Sequence, residues 1–336
     1  MKVAFFSVKR YDIDAFSPVI PHASIGVEPT YLESRLKVTS AILATGHDAV
    51  CVFVNDTVDK ATLEELSALG VKYVALRCAG YNNVDVNAAR SLGITVVRVP
   101  SYSPEAVAEF TVGMIMTVVR KFHKAFNRVR EGNFLLDGLA GFNLYQKTVG
   151  IIGTGQIGLV VGRILSKGFA CNVIAFDPYP NVARAGEYGI TYVAGLDELF
   201  AKSDIVSLHC PLNEGSRHLV NEHTLGLMKE GSILINTSRG GLIDTDALIV
   251  ALKRDKLAAV ALDVYDGEGE YFFKDSSAKV IHDDRLSRLI SFHHVFITGH
   301  QAFLTKEALR AIASTTLENL ATLERGEVCA NQVEAN

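Results

Sequence analysis

Three glycines, Gly153, Gly155 and Gly158, follow the apolar run 149–152 without a break and lead into Leu159-Val160-Val161. No other feature restricts the fold of this chain as tightly. A strand that turns at once into a helix needs Gly153 for the tight turn, Gly155 for close approach of backbone to a ligand, and Gly158 for close packing of helix on strand. The N–H groups of the helix's first turn then converge where the helix dipole is positive, a site suited to a pyrophosphate. Asp177 ends the next apolar run, 172–176. An acid there accepts hydrogen bonds from adenosine ribose hydroxyls and repels a 2'-phosphate. No arginine follows it before Arg184, so the expected cofactor is NAD rather than NADP.

The rest of the chain supplies sheets around this motif. Short β-branched or aromatic runs at 3–6, 50–54, 72–76 and 94–97 alternate with amphipathic stretches at 32–43, 63–69 and 84–92. That rhythm predicts parallel strands with helices on both faces. Pro100 and Pro104 then interrupt it, with Ser103 as N-cap, Pro104 in the first turn and Glu105 on the dipole side of a new helix. The first domain crossing is expected here. The rhythm restarts at 148–152, 172–176, 205–209, 232–236, 258–262 and 295–298, predicting a second sheet of about six parallel strands. A long amphipathic helix over 305–325 has no strands of its own and must dock on an existing domain. The fold class is α/β, with two doubly wound parallel-sheet domains.

With 336 residues, 49% of them hydrophobic, the chain has material for two packed cores. A net charge of −4 offers no electrostatic reason to bind nucleic acid or an anionic membrane. The five cysteines are scattered and form no Cys-x-x-Cys pair, which argues against a zinc or redox site and for a reducing, cytoplasmic setting. The apolar run after Met1-Lys2 is too short for a signal peptide, and 110–119 is too short to cross a bilayer and reads as a buried helix. The basic residues from Arg120 to Arg130 read as a solvated helix face. A small-molecule partner is expected.

A site that reduces a keto acid beside nicotinamide needs a cation for the carboxylate, a proton donor for the developing alkoxide, and a group that keeps the donor protonated. Arg239 lies just past the predicted strand 232–236, at the carboxyl edge where open α/β sheets bind ligands, and its planar fork grips a carboxylate bidentately. His300 follows the last predicted strand through Gly299, and imidazole titrates near neutrality. Glu268 follows another strand end, and a carboxylate bonded to His300 would raise its pKa.

Residues 153–158, 236–241, 261–268 and 298–303 together resemble the NAD-dependent D-isomer-specific 2-hydroxyacid dehydrogenases, and the resemblance covers nearly the whole chain. Glu270-Tyr271-Phe272-Phe273 and Ile281-His282-Asp283-Asp284 are similar to the D-lactate dehydrogenase branch. Asp266 departs from the branch's frequent Glu, and His293-His294 replace a more usual Pro-Asn.

The resemblance implies Arg239, Glu268 and His300 as the catalytic set. It places the substrate carboxylate on the amides near Ala79 and Gly80, closes the pocket with Tyr102 and Phe303, and adds Gln156, Ile157, Cys210, Pro211, Thr237 and Asp263 to the cofactor residues. Cys210 equally suits a buried apolar filler. The implied domains are a substrate domain of 1–100 plus 300–336 and a Rossmann-type NAD domain of 101–299, with the active site in the cleft between them. The implied activity is reversible reduction of pyruvate to D-lactate. A broader dehydrogenase of larger 2-keto acids is the neighbouring reading, and an NAD-sensing corepressor-like scaffold the reading of another class. Homodimers through the cofactor domain are also implied, with the helix around 110–119 contributing.

Overall fold

A computed structural model describes residues 1–334. The chain folds into two compact units, Met1–Ser103 with the segment from Leu304, and Pro104–Phe303.

In the first unit, strands β1 (Lys2–Phe5), β2 (Glu28–Tyr31), β3 (Ala49–Val52), β4 (Tyr73–Leu76) and β5 (Thr95–Val97) form a parallel sheet in the order β2-β1-β3-β4-β5. β1, β3 and β4 are almost wholly buried, as strands covered on both faces must be. The stretch 32–43, expected to be one amphipathic element, is preceded by β2 and ends in the 3-10 helix Val38–Ala44. Pro29 hid this strand from the sequence pattern, and β2 tolerates it because it lies at the sheet edge. The helix Lys306–Glu324, capped by the Thr305 side chain, buries Ile312, Leu317 and Leu320 in this unit.

The second unit carries β6 (Thr148–Ile152), β7 (Asn172–Phe176), β8 (Ile190–Tyr192), β9 (Ile205–Leu208), β10 (Ser232–Asn236), β11 (Leu257–Leu262) and β12 (Val295–Ile297). All seven are parallel in the order β12-β11-β10-β9-β6-β7-β8, one strand more than expected. The extra strand, β8, is a three-residue edge strand whose Ile-Thr-Tyr has too few residues to show alternation.

The helix Pro104–Arg120 starts where its N-terminal signals place it. Its Val112, Met114, Ile115, Val118 and Val119 are buried in one core with Val149, Ile151, Ile233 and Ile235, so the 110–119 stretch is the buried helix its sequence reads as. The basic stretch does not continue that helix. Lys121 adopts left-handed backbone, φ 54°, and a separate helix Phe122–Arg130 follows with no buried residue.

The two units divide between Ser103 and Pro104 and between Phe303 and Leu304. The second unit begins with the helix at Pro104 and keeps His300 through Phe303. The reason is local: the backbone N–H groups of Gln301 and Ala302 both donate to the Asp263 carboxylate at 2.9 Å, tying the turn after β12 to the end of β11.

Strand register levels the carboxyl edge of the second sheet. Phe176, Ile152, Leu208, Asn236, Leu262 and Ile297 pair across six adjacent strands. The next residue on each strand, from Asp177 and Gly153 to Asp263 and Thr298, therefore opens one common rim. The order of strands reverses at β6, which lies between β7 and β9, and such a switch point leaves a crevice for a ligand.

Candidate active site

At the switch point the glycine loop is built as its sequence requires. Gly153 has φ +93°, and a Cβ there would lie 2.6 Å from the Cys210 nitrogen, so the loops after β6 and β9 touch backbone to backbone. A Cβ on Gly158 would sit 2.0 Å from the Gly153 carbonyl oxygen. A Cβ on Gly155 would meet no other part of the described residues within 4 Å, leaving an open cradle beside the exposed Gln156 and half-buried Ile157. Gly155 is the N-cap of the helix Gln156–Arg163, and no side chain caps that end. An anion is the natural cap for such a terminus, and the cradle fits the pyrophosphate of NAD.

Asp177 is held ready beside it. Its Oδ2 accepts from the Thr154 N–H at 2.6 Å and the Thr154 hydroxyl at 3.0 Å, and its Oδ1 accepts from the Tyr179 N–H at 2.8 Å. Three of roughly four lone-pair sites are occupied, and the remaining one, on Oδ1, suits a ribose hydroxyl. Cys210 is half-buried, with burial pushing its thiol up to about 11, and Pro211 beyond it is exposed. The Thr237 hydroxyl shares a hydrogen bond of 2.8 Å with Thr111 of the helix Pro104–Arg120.

Arg239 is fixed by a side-chain turn at the end of β10. Asn236 accepts from the Ser238 N–H at 3.0 Å and donates to the Arg239 carbonyl at 2.9 Å. Gly240 packs directly on backbone, since a Cβ there would lie 2.1 Å from the Tyr265 carbonyl carbon. This contact draws the Arg239 turn against the segment that leads to Glu268.

Glu268 and His300 meet directly. His300 Nδ1 and Glu268 Oε1 are 2.7 Å apart, and the other carboxylate oxygen accepts from the Tyr265 N–H at 2.9 Å. His300 adopts left-handed backbone, φ 55°, which is uncommon for a residue with a Cβ. Its N–H donates to the Asp263 carbonyl at 2.7 Å. Phe273 and Phe303 flank the imidazole, with ring centroids at 5.7 and 6.4 Å.

Asp263, expected among the cofactor residues, is wholly buried and serves the turn carrying His300. Its Oδ1 accepts from the Thr298 hydroxyl at 2.6 Å and the Gln301 N–H, and its Oδ2 from the Ala302 N–H. Burial raises its pKa, opposed by these hydrogen bonds and by His300.

The remaining predicted residues belong to the first unit. Ala79 and Gly80, half-buried after β4, have N–H groups with no acceptor among the described residues, while their carbonyls accept from Arg98 and the Cys78 thiol. Tyr102 is half-buried near the end of this unit.

Two site residues carry no signal in the sequence. Thr154 is the clamp of Asp177, and its hydroxyl also bonds that of Tyr192 at 2.7 Å. His209, after β9, shares a hydrogen bond of 2.8 Å with the Ser207 hydroxyl, and burial pushes its imidazole down to about 3. Thr154 fills a position that the glycine motif leaves unspecified, and His209 falls in no recognisable spacing.

Comparison with known proteins identifies the family. Residues 112–302 match the model of the D-isomer specific 2-hydroxyacid dehydrogenase, NAD binding domain. The chain belongs to that family and is an NAD-dependent oxidoreductase. It is 51% identical over 333 residues to the D-lactate dehydrogenase of Escherichia coli K12, covering 99% of this chain and 100% of that one. The apo structure of D-lactate dehydrogenase from Escherichia coli superposes with a TM-score of 0.89 at 49% identity, over 99% of this chain and 100% of that one. The D-lactate dehydrogenase of Aquifex aeolicus, solved with NAD and lactic acid, gives 0.87 at 29% identity over 99% of each chain. Among the described residues, no helix is long and apolar enough to cross a membrane, and no cluster could hold a metal ion.

Proposed function

We propose that the chain reduces pyruvate reversibly to D-lactate, with Arg239, Glu268 and His300 as the catalytic residues. The names of the relatives support the substrate. The observation that carries the chemistry is the 2.7 Å contact between His300 and Glu268, on the same sheet rim that presents Arg239. β10 and β12 are separated only by β11, about 10 Å at ordinary strand spacing, so a long arginine and a histidine on their ends reach one three-carbon acid.

Arg239 grips the substrate carboxylate and polarises the adjacent carbonyl. In the first unit, the N–H groups of Ala79 and Gly80 are donors suited to the same chemical group. NADH, when bound at the glycine loop, would be the source of the hydride that C2 receives. His300 delivers its Nε2 proton to the oxygen that gains charge as C2 is reduced, and takes it back in the reverse direction. Glu268 engages Nδ1, fixing the ring so that Nε2 is the nitrogen offered to substrate. Phe303 and Tyr102 border the substrate methyl. NAD is held by Gly153, Gly155, Gln156, Ile157, Gly158, Asp177, Cys210, Pro211, Thr237 and the Asp263 turn.

The first unit serves as the substrate domain. The setting is cytoplasmic, consistent with five cysteines none of which is in a disulfide. The assembly is a homodimer or higher homo-oligomer, and the surface that supports this is apolar: Phe122, Phe126, Val129, Phe134, Leu135 and Leu136 are all exposed within one short stretch of the NAD unit.

The test is NADH consumption with pyruvate, followed by chiral analysis of the product. D-lactate is expected. Cofactor binding without turnover on any 2-keto acid would instead support a sensing scaffold.

A further inference from the structure

Each free N–H of the Ala79–Gly80 loop is aimed by the carbonyl on the other side of its own peptide plane. Among the described residues no peptide bond is cis, and in a planar trans peptide the C=O and N–H point in opposite directions. The Cys78 carbonyl accepts from the Val99 N–H at 3.1 Å, which turns the Ala79 N–H away from segment 98–99. The Ala79 carbonyl accepts from Nη1 of Arg98 at 2.8 Å, which turns the Gly80 N–H away from the same segment. Two successive N–H groups thus face outward together, an arrangement that attracts anions.

Arg98 is well placed to hold this geometry. Its N–H donates to the Asn331 carbonyl at 3.1 Å, and its carbonyl accepts from the Asn319 side chain at 2.8 Å, so its backbone is anchored on both sides. Its guanidinium lies 5.1 Å from the centre of the Tyr81 ring, the residue that follows Gly80. The fork therefore spans the loop, with one N–H on the Ala79 oxygen and its face on the next aromatic side chain. A cation on a peptide oxygen also draws electron density from the amide, which makes the Gly80 N–H a stronger donor.

We propose that Arg98 is a positioning residue for the substrate carboxylate, acting through the Ala79–Gly80 peptide to aim and polarise the Gly80 N–H. This inference rests on the proposed reduction of a 2-keto acid with its carboxylate on these amides. Because Arg98 acts on substrate binding through backbone, its loss is expected in substrate affinity and not in the cofactor site or the proton transfer.

The experiment compares the wild type with R98M and R98K, reading KM for pyruvate, KM for NADH, kcat, and inhibition by oxamate, a non-reducible isostere of pyruvate. R98M keeps a long side chain over Tyr81 but removes the charged donor. Its KM for pyruvate and its oxamate inhibition constant should both rise about tenfold, the usual effect of losing a charge-assisted hydrogen bond, with kcat and KM for NADH within about threefold of wild type. R98K, a cation without the fork, should fall between the two. Unchanged KM and oxamate inhibition in R98M overturns the proposal, as does a loss spread equally over kcat, NADH and pyruvate, which marks Arg98 as merely structural. Should R98M fail to fold, R98K decides: a wild-type KM in that variant overturns the proposal. A wild type that turns over no 2-keto acid overturns the functional reading and this inference with it, whereas normal wild-type turnover beside an unaffected R98M overturns this inference alone.

Discussion

Asp263 holds His300 in place with both its backbone and its side chain: the Asp263 carbonyl accepts the His300 N–H at 2.7 Å, and its carboxylate accepts the next two N–H groups, of Gln301 and Ala302, at 2.9 Å each. A left-handed histidine costs backbone strain of order 1–3 kcal/mol, and it persists where surrounding bonds over-determine it. Here a buried acid supplies those bonds, so the position of the proton donor depends on a residue one strand away.

Asp263→Asn therefore sets a donor NH2 against one of the N–H groups it must hold. The expected outcome is a fall in kcat of about 10²-fold, the scale of a misplaced catalytic group, with KM for NADH little changed. Steady-state kinetics in both substrates checks this. A large rise in KM for NADH with kcat preserved would show Asp263 acting as a cofactor ligand instead.

His209 makes stability depend on pH. Its imidazole is pushed by burial from 6.5 down to about 3, so between those values the unfolded chain binds a proton that the folded chain refuses. Stability from this group is complete above about pH 6.5 and is lost as pH falls toward 3, by up to about 1.4 kcal/mol per pH unit. Denaturant unfolding at pH 7, 6 and 5 should show the wild type losing stability more steeply than His209→Asn. Parallel slopes would contradict the assignment.

The legibility of this chain in its sequence followed the range of the interactions involved. Buried parallel strands such as Thr148–Ile152 and Ile205–Leu208 declare themselves as continuous apolar runs, and the glycine spacing after β6 declares a turn that admits almost no other residue. β2 did not, because a proline sits in it, and β8 did not, because three edge residues show no period. The backbone conformation of His300 was also hidden. The left-handed position is His300 itself, not the neighbouring Gly299, and the acid that enforces it is distant in sequence. The separate helix Phe122–Arg130 arises from one left-handed lysine in an otherwise helical stretch, which no local propensity announces.

If the homo-oligomer proposed above forms through the exposed apolar stretch at 134–136, that stretch controls assembly. Leu136 is 79% exposed, and with the exposed Phe134 and Leu135 it forms an apolar stretch of the kind that marks an interaction surface. The double substitution Leu135→Asp, Leu136→Asp should leave the fold intact and shift sedimentation toward the monomer by about tenfold or more in dissociation constant. Unchanged sedimentation would move the interface elsewhere.

The account rests on His300 as the proton donor to the reduced carbonyl, and kcat for pyruvate reduction in His300→Gln, measured beside NADH affinity, tests it most directly. The expected result is a loss of about 10²–10⁴-fold in kcat with NADH affinity retained. Turnover within about threefold of the wild type would contradict the account, because a placed proton donor contributes far more than that.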